Sequence, residues 1–225
     1  MDLTNQKGTG NPVRIAVLVS GGGTNLQAII DEEKRLAEAG QECPYTVAIV
    51  ISSSKNAYSL ERASQAGIPS EIASPYSVMG EENAKSASRD EKRLAVSNRV
   101  LELCHEYKIE AVVLAGFLTV LAGDIVTEYA GKTINLHPAL LPKFGGVGMW
   151  GHHVHEAVLA SGETESGCTV HLVDGGCDTG EILLQRKVPV LPGDTPETLY
   201  ARIAPKEHEA MVEGTKLLAK RIRNI

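Results

Sequence analysis

Asn135 and His137 stand two residues apart in T-I-N-L-H-P-A-L-L-P, where residues 132–136 read as a β-strand. Strand periodicity sends alternate side chains to one side, so an amide and an imidazole leave the same strand end toward one cleft. Pro138 biases His137 toward extended backbone. Such a pair can share the work of acyl transfer, the amide donating to a developing oxyanion while the imidazole moves a proton or donates beside it. The same residues would equally serve as hydrogen-bonded caps of a strand end, and this segment alone leaves both readings open.

A carboxylate is available in D-G-G-C-D-T-G, a turn-rich link between two further strand candidates, 168–173 and 182–190. Asp178 beside His137 would orient the ring and favour its protonated form. Asp174 is the nearby alternative, suited to local turn hydrogen bonds. A third feature, V-S-G-G-G-T-N-L, follows the apolar run Ile15-Ala16-Val17-Leu18. Three glycines between a buried strand and a helix start can present backbone N–H groups to an anion, and a helix N-terminus adds favourable potential. Neither Gly-Lys-Ser/Thr nor a complete G-x-G-x-x-G follows, which disfavours nucleotide loops. A phosphate site and a ligand-free tight turn both remain consistent with the segment.

Other chemistry has weaker support. W-G-H-H-V-H supplies only imidazoles, and His152 and His153 cannot share a helical face, so no metal is expected. His105, His171 and His208 read as packing or surface residues. Cys43, Cys104, Cys168 and Cys177 form no C-x-x-C pair, and Cys104 and Cys168 sit in apolar core patterns.

The elements that must position these groups follow from hydrophobic periodicity. Strands are expected at 14–19, 45–52, 68–72, 110–115 and 132–136. Helices are expected at 24–35, capped by Thr24, then at 57–66, 81–107, 121–129 and 152–159. In the long 81–107 helix, Leu94, Val100, Leu101 and Cys104 form the inward stripe. The final helix, 195–222, should be interrupted or kinked at Pro205. Alternating strands and helices imply an α/β fold: a single-domain, open, mostly parallel twisted sheet flanked by helices, with a Rossmann-like N-terminal half and an antiparallel or mixed C-terminal extension. Ligands of such sheets collect at the strands' carboxyl ends. Residues 1–12 read as a flexible tail and 13–225 as the functional domain.

The 225 residues can bury about 70% of their unfolded surface without staples. With 22 Lys and Arg against 28 Asp and Glu, the net charge of −6 gives no general attraction to nucleic acid or anionic lipid. No signal-peptide pattern or membrane-length apolar run occurs, so a cytoplasmic protein with reduced thiols is expected.

Together the motifs resemble the phosphoribosylglycinamide formyltransferase family over roughly 14–219. They are V-L-V-S-G-G-G-T-N-L-Q-A-I-I, V-V-L-A-G-F, I-N-L-H-P-A-L-L-P-K-F, H-E-A-V-L-A-S-G, G-C-T-V-H-L-V and D-T-G-E-I-L-L-Q. The resemblance implies a free-standing purine-biosynthetic enzyme, monomer or homodimer, that passes the formyl group of 10-formyltetrahydrofolate to the amine of phosphoribosylglycinamide. It assigns catalysis to Asn135, His137 and Asp178, substrate-phosphate binding to Gly23, Thr24 and Asn25, and a place near the glycinamide to Glu207. Phe117, Leu118, Thr119, Val120 and Leu121 would wall the folate pterin, which Asn135 also borders, with either Arg89 or Arg93 near the folate. No metal is implied. Two departures stand out: Gly22 replaces a residue often polar in the family, and 147–153 is longer than in its shortest members. Formyl transfer to a sugar nucleotide or charged initiator tRNA, hydrolytic deformylation and a noncatalytic folate or nucleotide sensor are the competing readings.

Overall fold

A computed structural model describes residues 11–224. Most of the expected tail, 1–10, lies outside the described residues, as does Ile225. Seven strands form one sheet: Val13–Val19 (β1), Tyr45–Ser52 (β2), Ser70–Ile72 (β3), Ala111–Leu114 (β4), Thr133–His137 (β5), Glu165–Leu172 (β6) and Ile182–Pro189 (β7). Their spatial order is β3-β2-β1-β4-β5-β6-β7. The first five pair in parallel, and β6 and β7 add antiparallel strands beyond β5. The α/β class, the parallel half and the antiparallel extension thus match the sequence reading. Chain order reverses between β1 and β4, so their carboxyl ends open the crevice where such sheets take ligands.

The core has two layers because the central strands are apolar on both faces. From β1, Val13, Ile15, Val17 and Val19 enter one layer, while Ala16 and Leu18 enter the other. Thr24–Glu38 (α1) and Pro196–Arg223 (α8) cover the first layer with Leu26, Ile29, Leu199, Ile203 and Met211. Arg89–Glu106 (α5) covers the second with Val96, Val100, Leu103 and Cys104. Full burial of each such aliphatic side chain contributes about 1.5–3 kcal/mol. Shorter helices complete the layers: Tyr58–Gln65 (α2), Pro75–Met79 (α3), Glu81–Ser86 (α4), Asp124–Glu128 (α6) and His152–Ala160 (α7). At the amino edge of the sheet, Arg223 donates to the Asn11 carbonyl at 3.1 Å and to Glu110 at 2.6 Å, bringing the two ends of the described chain together.

Several expectations need correction. The helix expected at 81–107 is two, because Ser88 accepts from the Glu91 N–H and Glu91 accepts from the Ser88 N–H, a capping box that starts α5 afresh. Leu94 is 45% exposed and so lies off the buried stripe, which runs through Val96, Val100, Leu103 and Cys104. The short α3, capped by Ser74, has no counterpart among the expected helices. Thr24 does not cap α1: Gly23, at φ 71°, occupies that position and Thr24 is the first helical residue. Helix α8 runs through Pro205 without interruption; packing of both halves against the sheet offsets the single backbone hydrogen bond that proline removes.

The antiparallel extension depends on a close backbone approach at Gly167 in β6. A Cβ built there would lie 1.9 Å from the Arg186 carbonyl oxygen of β7. Gly167→Ala should therefore pry the two strands apart and cost about 2–3 kcal/mol, read as a lower urea midpoint at unchanged slope. Stability equal to the parent protein would show that β7 can shift to accommodate the methyl group.

Candidate active site

The register between β5 and β6 builds the centre of the site. Asn135 pairs across the ladder with His171, and His137 with Thr169, so four polar side chains leave one face of the strand pair. Asn135 Nδ2 lies 3.2 Å from His171 Nε2. The His171 Nδ1 is 2.8 Å from the Leu172 carbonyl, which places a proton on Nδ1. Thr169 Oγ1 donates to the Ala139 carbonyl at 2.6 Å and accepts from the Leu141 N–H at 3.0 Å, fastening the segment after β5. In that segment the Leu141–Pro142 peptide is cis.

Asp178 reaches this centre from the link between β6 and β7. One carboxylate oxygen is 3.5 Å from His137 Nδ1, the other 3.5 Å from His171 Nε2. The Gly146 N–H donates to the first at 3.0 Å. Asp178 itself adopts φ 59°, a left-handed conformation that short polar side chains tolerate. Asp174 stays local, accepting from the Gly176 N–H at 2.9 Å and from the Thr179 hydroxyl at 2.7 Å. Asn135, His137 and Asp178 therefore converge, and His171 joins them. His171, expected as a packing or surface residue, is buried and lies against Asn135 and Asp178. The signal that could have found it is the alternation Thr169-x-His171, in a strand expected to neighbour the Asn135-x-His137 strand.

Burial governs the electrostatics. It pushes the His137 imidazole below its usual value, outweighing the opposing effects of Asp178 and the Phe144 carbonyl. Asp178 does favour the protonated ring, as expected, but desolvation disfavours the charge more than one carboxylate restores it. His137 Nε2 lies 2.7 Å from the Phe144 carbonyl and so carries the ring's proton. Burial also works to raise the Asp178 carboxyl, but the His171 contact, the Gly146 N–H and the charges of both histidines together hold it below the usual range.

The glycine loop lies between β1 and α1. A Cβ on Gly23 would meet Ser59 Cβ at 2.6 Å, so this glycine is required by both φ and the approach of α2. At Gly21 and Gly22 nothing lies within 4 Å of a built Cβ, and both are exposed. Helix α1 has no acidic residue in its first turn and no side-chain cap, which leaves its N-terminal donors for an external acceptor. Thr24 is exposed at this end. Asn25 faces Glu207 of α8: its side chain favours the ionised carboxyl, whereas burial pushes Glu207 up to about 7. The buried Asn25 Oδ1 has no hydrogen-bond partner among the described residues.

Beyond β4, Phe117 and Leu121 turn into the core while Leu118 and Val120 remain exposed and Thr119 is half-buried. The Leu118 N–H donates to Ser20 Oγ at 2.9 Å, and Ser20 contacts Ser53 Oγ at 2.6 Å. Arg93 donates to the Val120 and Leu121 carbonyls, each at 2.8 Å, whereas Arg89 is exposed in the first turn of α5. Of the two arginines, Arg93 braces the expected folate wall.

The histidine stretch divides. His152 and His153 lie 3.5 and 3.4 Å from Glu156, while His155 is buried beside Tyr200 with Nδ1 unpartnered among the described residues. Among the described residues no group of three or more His, Cys, Asp or Glu side chains is arranged to hold a metal ion, and no helix is long and apolar enough to cross a membrane. Burial pushes the Cys104 and Cys168 thiols up to about 12, as suits core cysteines.

Comparison with known proteins places this geometry. Residues 13–215 match the model of the formyl transferase family. The chain is 42% identical over 206 residues to the trifunctional purine biosynthetic protein adenosine-3 of Drosophila pseudoobscura pseudoobscura, covering 92% of this chain but only 14% of that protein. It is 38% identical over 196 residues to phosphoribosylglycinamide formyltransferase of Escherichia coli (strain K12), covering 87% of this chain and 82% of that one. The crystal structure of glycinamide ribonucleotide transformylase 1 from Symbiobacterium toebii superposes with a TM-score of 0.79 at 38% identity, covering 98% and 92% of the two chains. The chain belongs to the phosphoribosylglycinamide formyltransferase family and is a formyl-transferring enzyme.

Proposed function

We propose that this enzyme transfers the formyl group of 10-formyltetrahydrofolate directly to the glycinamide amine of N1-(5-phospho-D-ribosyl)glycinamide, without a covalent formyl-enzyme. The observation that carries the reading is the convergence of Asn135, His137 and Asp178 at the carboxyl edge of a sheet whose neighbouring glycine loop offers unpartnered N–H groups. The phosphate sits on Gly23, Thr24 and Asn25 at the start of α1, and Glu207 with Asn25 Oδ1 accepts from the glycinamide portion. Backbone at 117–121 walls the pterin, with Asn135 at its border, and Arg89 is the arginine left free to approach the folate.

The neutral amine attacks the formyl carbon, forming a C–N bond and placing negative charge on the formyl oxygen. Asn135 Nδ2 keeps one hydrogen for that oxygen after serving His171. His137 Nε2–H, now held by the Phe144 carbonyl, exchanges this acceptor for the oxyanion. Asp178 takes the amine's proton, directly or through water. Collapse breaks the bond to the folate nitrogen, which leaves with the proton that Asp178 received. Binding in the crevice strengthens each of these contacts by removing water.

Loss of one oriented oxyanion donor lowers turnover by about 10²–10³, and loss of a positioned proton-transfer group by about 10²–10⁴. Asn135→Ala, His137→Ala and Asp178→Asn should therefore reduce kcat by these factors with small changes in KM for either substrate, in an assay supplying 10-formyltetrahydrofolate and phosphoribosylglycinamide. Formate release without formylation of that acceptor, or transfer only to another amine, would refute the substrate assignment.

Glu207 gives a separate, ligand-free readout. Its folded-state carboxyl titrates at about 7 against 4.5 when unperturbed, so the fold binds a proton between these values that the unfolded chain releases. The contribution to stability is complete below pH 4.5 and is lost as pH rises through 7, by roughly 3 kcal/mol in all. Glu207→Gln should thus be more stable than the parent at pH 8 relative to their difference at pH 5, in paired urea titrations. A pH-independent difference would show that burial does not perturb this carboxyl.

A further inference from the structure

Three successive carbonyls of the glycine loop are each taken by a donor behind it. The Ser59 N–H at the start of α2 donates to the Gly21 carbonyl at 3.1 Å, Arg62 Nε–H to the Gly22 carbonyl at 2.8 Å, and the Gln27 N–H to the Gly23 carbonyl at 2.9 Å. A trans peptide is planar and its N–H points opposite its C=O. Fixing these carbonyls therefore aims the N–H groups of Gly22, Gly23 and Thr24 the other way, and among the described residues none of the three finds an acceptor. Two of the fixing donors are backbone groups of helices. The third is a side chain, on the one peptide that joins the two open glycines to the left-handed Gly23.

Arg62 is itself held in place. Its Nη1 donates to Gln27 Oε1 at 3.0 Å, linking α2 to the first turn of α1, and its guanidinium lies 5.0 Å from the centre of the Tyr58 ring. Its charge is felt as far as His208 of α8, beside Glu207. Ser59, fully buried behind Gly23, has an Oγ with no hydrogen-bond partner among the described residues.

We propose that Arg62 is a positioning residue for the acceptor substrate's phosphate: by holding the Gly22 carbonyl it presets the Gly23 N–H, and through Gln27 it locks the loop to the helix that carries the other donors. The proposal rests on the phosphate-anchoring reading above. Arg62 does not touch the reacting carbon, and its charge adds to the favourable potential at the start of α1.

The test combines steady-state kinetics with binding of inorganic phosphate, followed by amide NMR of Gly22 and Gly23. Arg62→Ala should raise KM for phosphoribosylglycinamide and the dissociation constant for phosphate together, about tenfold, the effect of one charge-assisted hydrogen bond. The KM for 10-formyltetrahydrofolate and kcat should stay within about twofold. Arg62→Met keeps packing on Tyr58 and should behave alike if the alanine variant unfolds; thermal melting checks both. Arg62→Lys should restore the charge without restoring affinity, because one ammonium does not reproduce the paired contacts to Gly22 and Gln27. Full rescue by lysine, or unchanged phosphate binding in stably folded variants, would overturn the proposal. If the parent protein formylates no phosphoribosylglycinamide, the functional reading fails, yet weakened phosphate binding in Arg62→Ala would still support the role of Arg62 and unchanged binding would still refute it.

Discussion

The antiparallel pairing of β5 with β6 is the contact on which the proposed chemistry of this protein depends. It sets Asn135 opposite His171 and His137 opposite Thr169, so that polar groups far apart in the chain share one face of a strand pair. A register shift of one residue would send Cys168, Val170 and Leu172 to that face and bury the polar set in the core. Register is held by the apolar layer on the reverse face, where Cys168 and Val170 pack with Leu136 and Ile134. Stability of the core and alignment of the site are therefore one requirement.

The two proposed substrate subsites are built from behind by helices that do not enter them. Helix α2 supplies Ser59 and Arg62 to the carbonyls of the glycine loop, and α5 supplies Arg93 and Ser97 to the segment after β4, where the Ala122 N–H donates to Ser97 Oγ at 2.9 Å. Ser20 then joins one subsite to the other through the Leu118 N–H. Backbone recognition of ligands demands this kind of bracing, since a peptide group left free to rotate offers no fixed donor.

Much of this arrangement is legible in the sequence because its causes are local. Interior strands such as 45–52 appear as runs rich in β-branched residues, and Asn135 with His137 betrays a shared face through a spacing of two. What is less legible depends on partners distant in the chain. His171 gains meaning only from its register with Asn135. The protonation of His137 is decided by burial, which spacing does not reveal. Thr24 has the composition of a cap, yet the proximity of Ser59 selects Gly23. Pro205 obeys the local rule against helix interiors less strongly than α8 obeys its packing. Arg62 gains its meaning only when α2 is placed against the glycine loop.

The clasp of Arg223 on Asn11 and Glu110 has a consequence for how this unit can be joined to others. Both ends of the described chain emerge at the amino edge of the sheet, a full strand length from the crevice. Covalent attachment of cargo at residue 11 or 223 would point away from incoming ligands, and a short linker could close the two ends into a ring or allow the domain to be spliced into a loop of a host protein. The fold is in that sense modular: its wiring leaves by the back, and its working edge stays open.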